Sequence, residues 1–271
     1  MHPVFLKLGP FTLYSYGLLL VAAFLAATWR GAQAARRLPP DSVAITPEQL
    51  VDFSCLSLLG GILGGRVFYV ILQWEFFRHV PQELPAIWHG GLVWYGGFLG
   101  GLAAGGLYLR AKRLEVLRVF DQFIPFVALG HAIGRLGCFL NGCCYGKPTH
   151  AWCGVVFPGH TEAVLPTQLF ESAGLFFLYL ILRRLLTPAT LRHRGRLFGI
   201  YLVSYAALRF AMESLRGDQT VWWANLTLQQ LISLAALAAG LMLIGRSSGT
   251  DRHHGTHVSV SGRHRRSRAA S

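Results

Sequence analysis

Seven long apolar stretches divide this chain, near residues 11–29, 50–73, 90–109, 119–140, 167–186, 197–215 and 228–245. A helix crossing a bilayer needs roughly 17–25 mostly apolar residues, because its backbone N–H and C=O groups find no water to bond. Every stretch approaches or meets that length. With 53% hydrophobic against 14% charged residues, the composition also lies outside the ordinary soluble range. The sequence therefore predicts an all-α, polytopic integral membrane protein with about seven transmembrane helices, forming one domain over residues 1–246. The first stretch has no basic segment before it and no small-residue exit after it. Arg30, Arg36 and Arg37 follow instead, so it reads as a retained helix rather than a cleaved leader.

The net charge of +13 is distributed to one side. Arginines and lysines cluster after the first, third and fifth stretches and in the tail from Arg246, all loops of the same membrane face. The opposite loops hold only Lys7, Arg78, Lys147 and Arg216. The excess of basic residues on cytoplasmic loops then places the N-terminus outside and the C-terminus in the cytoplasm. Basic loops lining one membrane face also argue against a nucleic-acid partner. Residues 247–271, with Ser248, Gly249, His253, His254, His257 and a run of arginines, have little to bury and are expected to form a disordered basic tail near anionic lipid.

Glycines crowd the second stretch (Gly60, Gly61, Gly64, Gly65) and the third (Gly96, Gly97, Gly100, Gly101, Gly105, Gly106), as close helix packing requires. The pairs Gly90-Gly91 and Gly96-Gly97 flank Trp94-Tyr95 and predict a broken or re-entrant segment beside a cavity. The outward loop at 74–89, with Trp74, Phe76, Phe77 and Trp88, suits an element lying flat at the membrane interface. The longer outward loop, about 141–165, reads as ordered.

Three arginines sit inside apolar stretches: Arg66, Arg135 and Arg209. Each costs about 2.5–3.5 kcal/mol at mid-helix on insertion scales, so it needs a partner or a water-filled cavity. One solution is internal, since Glu213 lies four residues after Arg209, and Asp121 and Glu171 are the other carboxylates near spans. The other is an anionic ligand such as a lipid phosphate, gripped by planar guanidinium forks. Arg135 lies near the outer end of its stretch, close to Asn141-Gly142, and Arg209 is followed by Glu213 and Arg216 near the outer end of its own. A headgroup pocket facing the outer leaflet is the reading that uses them all.

These residues carry a resemblance to a known family. Gly9-Pro10-Phe11 with Tyr16-Gly17-Leu18, Gly64-Gly65-Arg66, the run Gly134-Arg135-Leu136-Gly137-Cys138-Phe139-Leu140-Asn141-Gly142, Pro166-Thr167-Gln168-Leu169-Phe170-Glu171, and Arg209, Glu213 and Arg216 occur in the order of motifs in prolipoprotein diacylglyceryl transferases. The chain resembles that family from about residue 9 to 245. The resemblance implies a multi-pass enzyme of the bacterial inner membrane that moves a diacylglyceryl group from phosphatidylglycerol to the lipobox cysteine of a prolipoprotein, releasing glycerol phosphate. Its partners would be membrane lipid and signal peptides, with no cofactor and no metal. Such a step needs a thiolate nucleophile and cations on the departing phosphate. Arg135 and Arg209 are the expected phosphate ligands, with Tyr95 and Glu213 also in catalytic roles and Asn141, Arg66, Tyr16 and Arg216 at the lipid.

Three positions depart from the family's usual pattern. Tyr95 stands for a His, Cys138 for an Asn and Cys143 for a Glu. The general base is left open among Glu213, His131, Asp121 and hydroxide from bulk water. Cys138, Cys143, Cys144 and Cys153 gather at the outer end of the fourth stretch and its loop, on the oxidising side. Stabilising disulfides are the first reading, and a thiol-disulfide oxidoreductase is the alternative function. A lipid-binding homologue without transferase activity is a third. The spacing is not the Cys-x2-Cys of zinc or thioredoxin chemistry.

Overall fold

The computed structural model describes residues 4–8, 11–87, 90–159, 161–217, 221–223 and 225–255. Gly9, Pro10, Trp88 and the tail residues 256–271, His257 among them, lie outside the described residues. In chain order the elements are strands β1 (Val4–Leu8) and β2 (Phe11–Tyr14), helices α1 (Ser15–Arg37), α2 (Pro47–Leu72), short α3 (Trp74–Phe77), α4 (Trp94–Ala111), α5 (Val116–Asn141), α6 (Thr167–Leu185), short α7 (Pro188–Leu191) and α8 (Arg196–Ser214), strands β3 (Val221–Trp223) and β4 (Leu226–Thr227), and helix α9 (Leu228–Gly255).

All seven apolar stretches contain a long helix. Four helical segments are long and apolar enough to cross a membrane, at Ser15–Arg37, Pro40–Leu72, Val116–Asn141 and Leu228–Ser247. The remaining three coincide with α4, α6 and α8, which have 18, 19 and 19 residues. Charge explains why two of these are less apolar: α6 carries Glu171, Arg183 and Arg184, and α8 carries Arg196, Arg209 and Glu213. In α4, eighteen residues include six glycines. Large apolar side chains such as Leu63, Leu107, Phe177 and Met242 are exposed along the helices. That is the surface of a membrane protein, for which lipid is the solvent.

The start of the first helix differs from the sequence expectation. Residues 11–14, counted with the first apolar stretch, form a strand paired antiparallel with β1, and the helix starts at Ser15. Phe-Thr-Leu-Tyr is a β-favouring run, and propensity outweighs hydropathy there. The chain is thus helical with two short hairpins rather than purely α. The second hairpin turns at Asn225, whose φ of 59° is left-handed, a conformation that Asn tolerates better than most residues. At the other end, α9 runs from Leu228 to Gly255.

The chain forms two compact units whose boundaries fall within α1 and near the start of α5. One comprises Thr28–Val119, and its centre is α2 packed on α4. Thr46 starts α2 with a reciprocal capping box to Gln49, and Pro47 occupies the first turn. Along the contact, a Cβ on Gly60 would overlap the Gly100 carbonyl and Ala104, and one on Gly64 would overlap the Gly96 carbonyl. Glycines four residues apart on each helix bring the backbones together. Gly96 is therefore a packing residue inside an unbroken helix. The irregular backbone lies earlier, at Gly90 and Gly91, where φ is 86° and 75°.

The other unit holds the chain to Ala27 and everything from Phe120. Gly130 of α5 fits against Ala23 and Ala27 of α1, and Gly199 of α8 faces Gly240 of α9. Asp121, fully buried on α5, accepts the backbone N–H groups of Gly195 and Phe198 and so caps the start of α8 from another helix. A Gly64→Val substitution should lower the thermal unfolding midpoint of the detergent-solubilised protein, whereas Gly106→Ala, with open space around its Cβ, should leave it nearly unchanged. Equal melting of the two variants would mean that the α2–α4 contact is not set by its glycines.

Candidate active site

Polar residues occupy one face of each of three apolar helices in the second unit. On α5, His131, Arg135 and Cys138 are four and three residues apart; on α6, Gln168 and Glu171 are three apart; on α8, Tyr201, Tyr205, Arg209 and Glu213 follow every fourth residue. A helix puts such positions on one side. The structure brings the three faces together at Glu171. Its Oε2 lies 2.6 Å from Arg135 Nη2 and 3.6 Å from Arg209 Nη1, while Tyr205 donates to Oε1 at 3.4 Å. Arg209 Nη2 also meets Glu213 Oε2 at 2.8 Å, and Thr227 of β4 donates to Glu213 Oε1 at 3.0 Å.

The two carboxylates are enclosed and the two arginines are slightly open: side-chain exposure is 3% for Glu171 and 0% for Glu213, against 13% and 12% for Arg135 and Arg209. Within this cluster the formal charges of the four groups cancel. Arg135 Nε is buried without a hydrogen-bond acceptor among the described residues. The guanidiniums are thus held from behind by carboxylates, and Arg135 retains donor capacity. His131 lies beside the cluster, its ring 5.1 Å from that of Tyr205, which in turn stacks on Tyr201 at 5.7 Å.

The connection from α5 to α6 closes over one end of this cluster. Gln168 Nε2 donates to the Cys143 carbonyl at 2.7 Å and Thr167 Oγ1 to the Cys144 carbonyl at 2.8 Å. Gly146 and Leu165 pair through the backbone, Lys147 N–H donates to the Leu215 carbonyl at 2.8 Å, and Lys147 Nζ reaches the Ser214 carbonyl. These bonds make an ordered loop, as its composition suggested. They also draw the end of α8, with Arg216, to the same loop. Asn141 is exposed at the last position of α5.

The Sγ atoms of Cys138, Cys143 and Cys144 all lie within 4.8 Å of one another, and Cys138 Sγ is 4.0 Å from Arg135 Nη1. Cys153 is not part of this trio. All five cysteines are free thiols in this structure. Hydrogen bonds from Cys138 and then Cys143 hold the Cys144 thiol well below its ordinary range, and the charges of Arg216 and Arg135 act in the same sense against burial. Tyr16 of α1 borders the trio, its ring against Gly137.

Two predicted residues belong to the other unit. Tyr95 is 60% exposed near the start of α4, its ring edge-on to Trp94. Arg66 donates four hydrogen bonds to backbone carbonyls, at 2.5 Å to Glu83, 2.9 Å to Leu84, 2.9 Å to Gly90 and 3.3 Å to Gly91. Its guanidinium also lies 5.5 Å and 5.1 Å from the ring centres of Tyr69 and Phe77. Arg66 thereby ties the 83–91 connection to α2, beside a cavity of about 480 Å³ lined by aromatic side chains. Asp121, a candidate base by sequence, is committed to capping α8. Conversely, Tyr205 was not named from the sequence, Gln168 only within a motif, and Glu171 only as one of the carboxylates that could pair with a buried arginine. The every-fourth-residue polar face of α8 and the Gln-x-x-Glu spacing of α6 were the available signals.

The profile of the prolipoprotein diacylglyceryl transferase family matches residues 3–246. The chain belongs to this family. Relatives bearing the name phosphatidylglycerol–prolipoprotein diacylglyceryl transferase include that of Clostridium tetani, 32% identical over 90% of this chain and 96% of its own. That of Synechococcus elongatus is 32% identical over 89% and 85%, and that of Geobacillus kaustophilus 32% over 91% and 93%. The transferase family, rather than an oxidoreductase, is therefore the setting in which the thiol trio has to be understood.

Glu171→Gln would leave Arg135 and Arg209 with one carboxylate between them. Breaking a buried pair costs about 3–5 kcal/mol, so its unfolding midpoint should fall well below that of Tyr205→Phe, which loses one long hydrogen bond worth about 1 kcal/mol. Thermal unfolding in detergent measures both. The reverse ranking would remove Glu171 from the centre of the cluster.

Proposed function

We propose that this chain transfers the diacylglyceryl group of phosphatidylglycerol to the lipobox cysteine thiol of a prolipoprotein, and that Arg135 and Arg209 hold the phosphodiester. The observation that carries the residue assignment is their convergence on Glu171 from two different helices. Fixed by carboxylates behind them, two planar guanidiniums present N–H groups to an anion without first having to be ordered. In the transfer, the substrate thiol gives up its proton, sulfur bonds to a glycerol carbon, and the carbon–oxygen bond to phosphate breaks. Glycerol phosphate leaves with the bonding electrons. Charge grows on that phosphate in the transition state, so arginines already aimed at it lower the barrier.

Glu171 and Glu213 are positioning residues in this scheme, and Arg216, near the loop that covers the cluster, adds positive charge for the headgroup. Asn141, Tyr16 and Tyr95 are assigned to polar contacts with lipid, and Arg66, with its four carbonyl partners, to the scaffold. Seven crossings, with the N-terminus outside and the C-terminus in the cytoplasm of a bacterial inner membrane, agree with the one-sided arginines and lysines. Lipid then enters from the outer leaflet, where signal-peptide cysteines emerge.

Purified protein given phosphatidylglycerol and a lipobox peptide should produce a thioether-linked diacylglyceryl peptide, detected by mass spectrometry. Arg135→Lys and Arg209→Lys should each lower kcat/KM about 100-fold or more, the scale for losing one aligned donor at a developing oxyanion. Full activity in either lysine variant would remove that arginine from the phosphate site. No transfer by the well-folded parent protein would overturn the activity itself.

A further inference from the structure

The reaction needs a thiolate, and the carboxylates in and near the arginine cluster are already engaged, while His131 stands beside it with its ring against Tyr205. Glu171 and Glu213 are ion-paired and Asp121 is a helix cap. The thiol trio lies directly beside this cluster. Resting on the transferase reading, we propose that Cys138, Cys143 and Cys144 form a three-thiolate site for a thiophilic d10 cation of the Zn(II) type, whose open fourth position takes the substrate cysteine sulfur.

The sequence spacing argued against a metal, and the turn after α5 is what reverses that reading. Gly142 at φ 73° and Cys144 at φ 64° curl the chain back on the last turn of the helix, where Cys143 N–H donates to the Cys138 carbonyl. A non-glycine residue in the left-handed region costs about 1–3 kcal/mol and persists only where its surroundings hold it. Here the buried Gln168 and Thr167 side chains bond the carbonyls of Cys143 and Cys144. The loop is thereby fixed with its three sulfurs together. Around a cation with bonds of about 2.3 Å, three sulfurs lie roughly 3.8–4.0 Å apart, so sulfurs already within 4.8 Å need only a small closure.

Charge and access fit the same occupant. A divalent cation with three thiolates carries a net charge of −1, and Arg135 Nη1 already stands 4.0 Å from Cys138 Sγ to balance it. The three cysteines are half-buried rather than enclosed, so a fourth ligand can reach the metal. Catalytic zinc sites keep such a position open, and a thiol that coordinates there is deprotonated. On loading, whatever protons the three cysteines still hold pass to solvent, and the substrate thiol releases its own when it binds. The bound sulfur then attacks the glycerol carbon as the phosphate oxygen departs, and the thioether product, a poorer ligand, leaves the metal. No oxidant or reductant is involved.

The test titrates reduced, full-length protein in detergent with Cd(II), following the ultraviolet thiolate-to-cadmium charge-transfer band, which tail histidines do not produce. One equivalent should give a band of three-sulfur intensity that a chelator removes. It should be lost in Cys143→Ser and Cys144→Ser and retained in Cys153→Ser, with size-exclusion profiles checking that each variant is folded. Adding lipobox peptide should raise the band by a fourth sulfur, whereas a Cys→Ser peptide should not. Absence of the band in the parent protein, or its survival in both trio variants, overturns the site. A band that ignores the peptide thiol, or equal transfer rates by Zn(II)-loaded and chelator-stripped enzyme, overturns its role. Failure of the loaded protein to transfer lipid at all, with both bands present, strikes instead at the transferase reading.

Discussion

The carboxylate of Glu171 is the contact on which the site depends. It receives Arg135 from α5, Arg209 and Tyr205 from α8, and itself stands on α6, so one buried group joins three helices. In a bilayer such a contact is more than a stabilising pair. An arginine with no partner would have to draw water or headgroups to itself, whereas one bonded to a carboxylate can stay within an apolar span. The same pairing that permits the arginines to be there also fixes where their remaining donors point. Structure and chemistry therefore share one cause, and the phosphate site is a by-product of solving the solvation problem of two charges.

The α5–α6 connection extends this logic to the end of the bundle. Its backbone carbonyls are taken up by Gln168 and Thr167, two side chains in the first turn of α6, and its N–H groups reach Leu165 and Leu215. One turn further along α6 is Glu171. The start of this helix thus positions the loop above it and the arginines beside it. A displacement of α6 would move the cysteine trio and the guanidiniums together, a coupling that suits a site where a sulfur and a phosphate have to meet at one carbon.

Much of this was legible in the sequence, and what was not follows a physical pattern. Hydropathy located the long helices, because the bilayer requirement acts on each span independently of its neighbours. The intrahelical pair Arg209–Glu213 follows from a spacing of four. The choice of Glu171 as the partner of both Arg135 and Arg209 depends on how α5, α6 and α8 pack, which no local pattern encodes. The cysteines show the same limit. Their spacing looked unlike a metal site because the decisive feature is a left-handed residue, Cys144, held by side chains more than twenty positions away. Residues 11–14 were misread for the opposite reason: an apolar β-favouring run and the start of an apolar helix have the same mean hydropathy.

Arg66 shows why an arginine in a span cannot be assigned by sequence alone. By composition and flanking glycines it resembles Arg135, and both sit on apolar helices. Yet Arg66 is met by four neutral carbonyls and two aromatic rings, while Arg135 is met by a carboxylate and a thiol. Carbonyls satisfy the hydrogen-bonding geometry of a guanidinium and leave its charge in place; they arise where a loop has irregular backbone to offer, as at Gly90 and Gly91. The fork shape explains the choice of residue, since an ammonium has three donors on a single atom and cannot span carbonyls from residues 83 to 91. In such a setting the arginine folds the loop. Where the partner is ionic and the guanidinium still has a buried N–H without an acceptor, as at Arg135, it is equipped to bind.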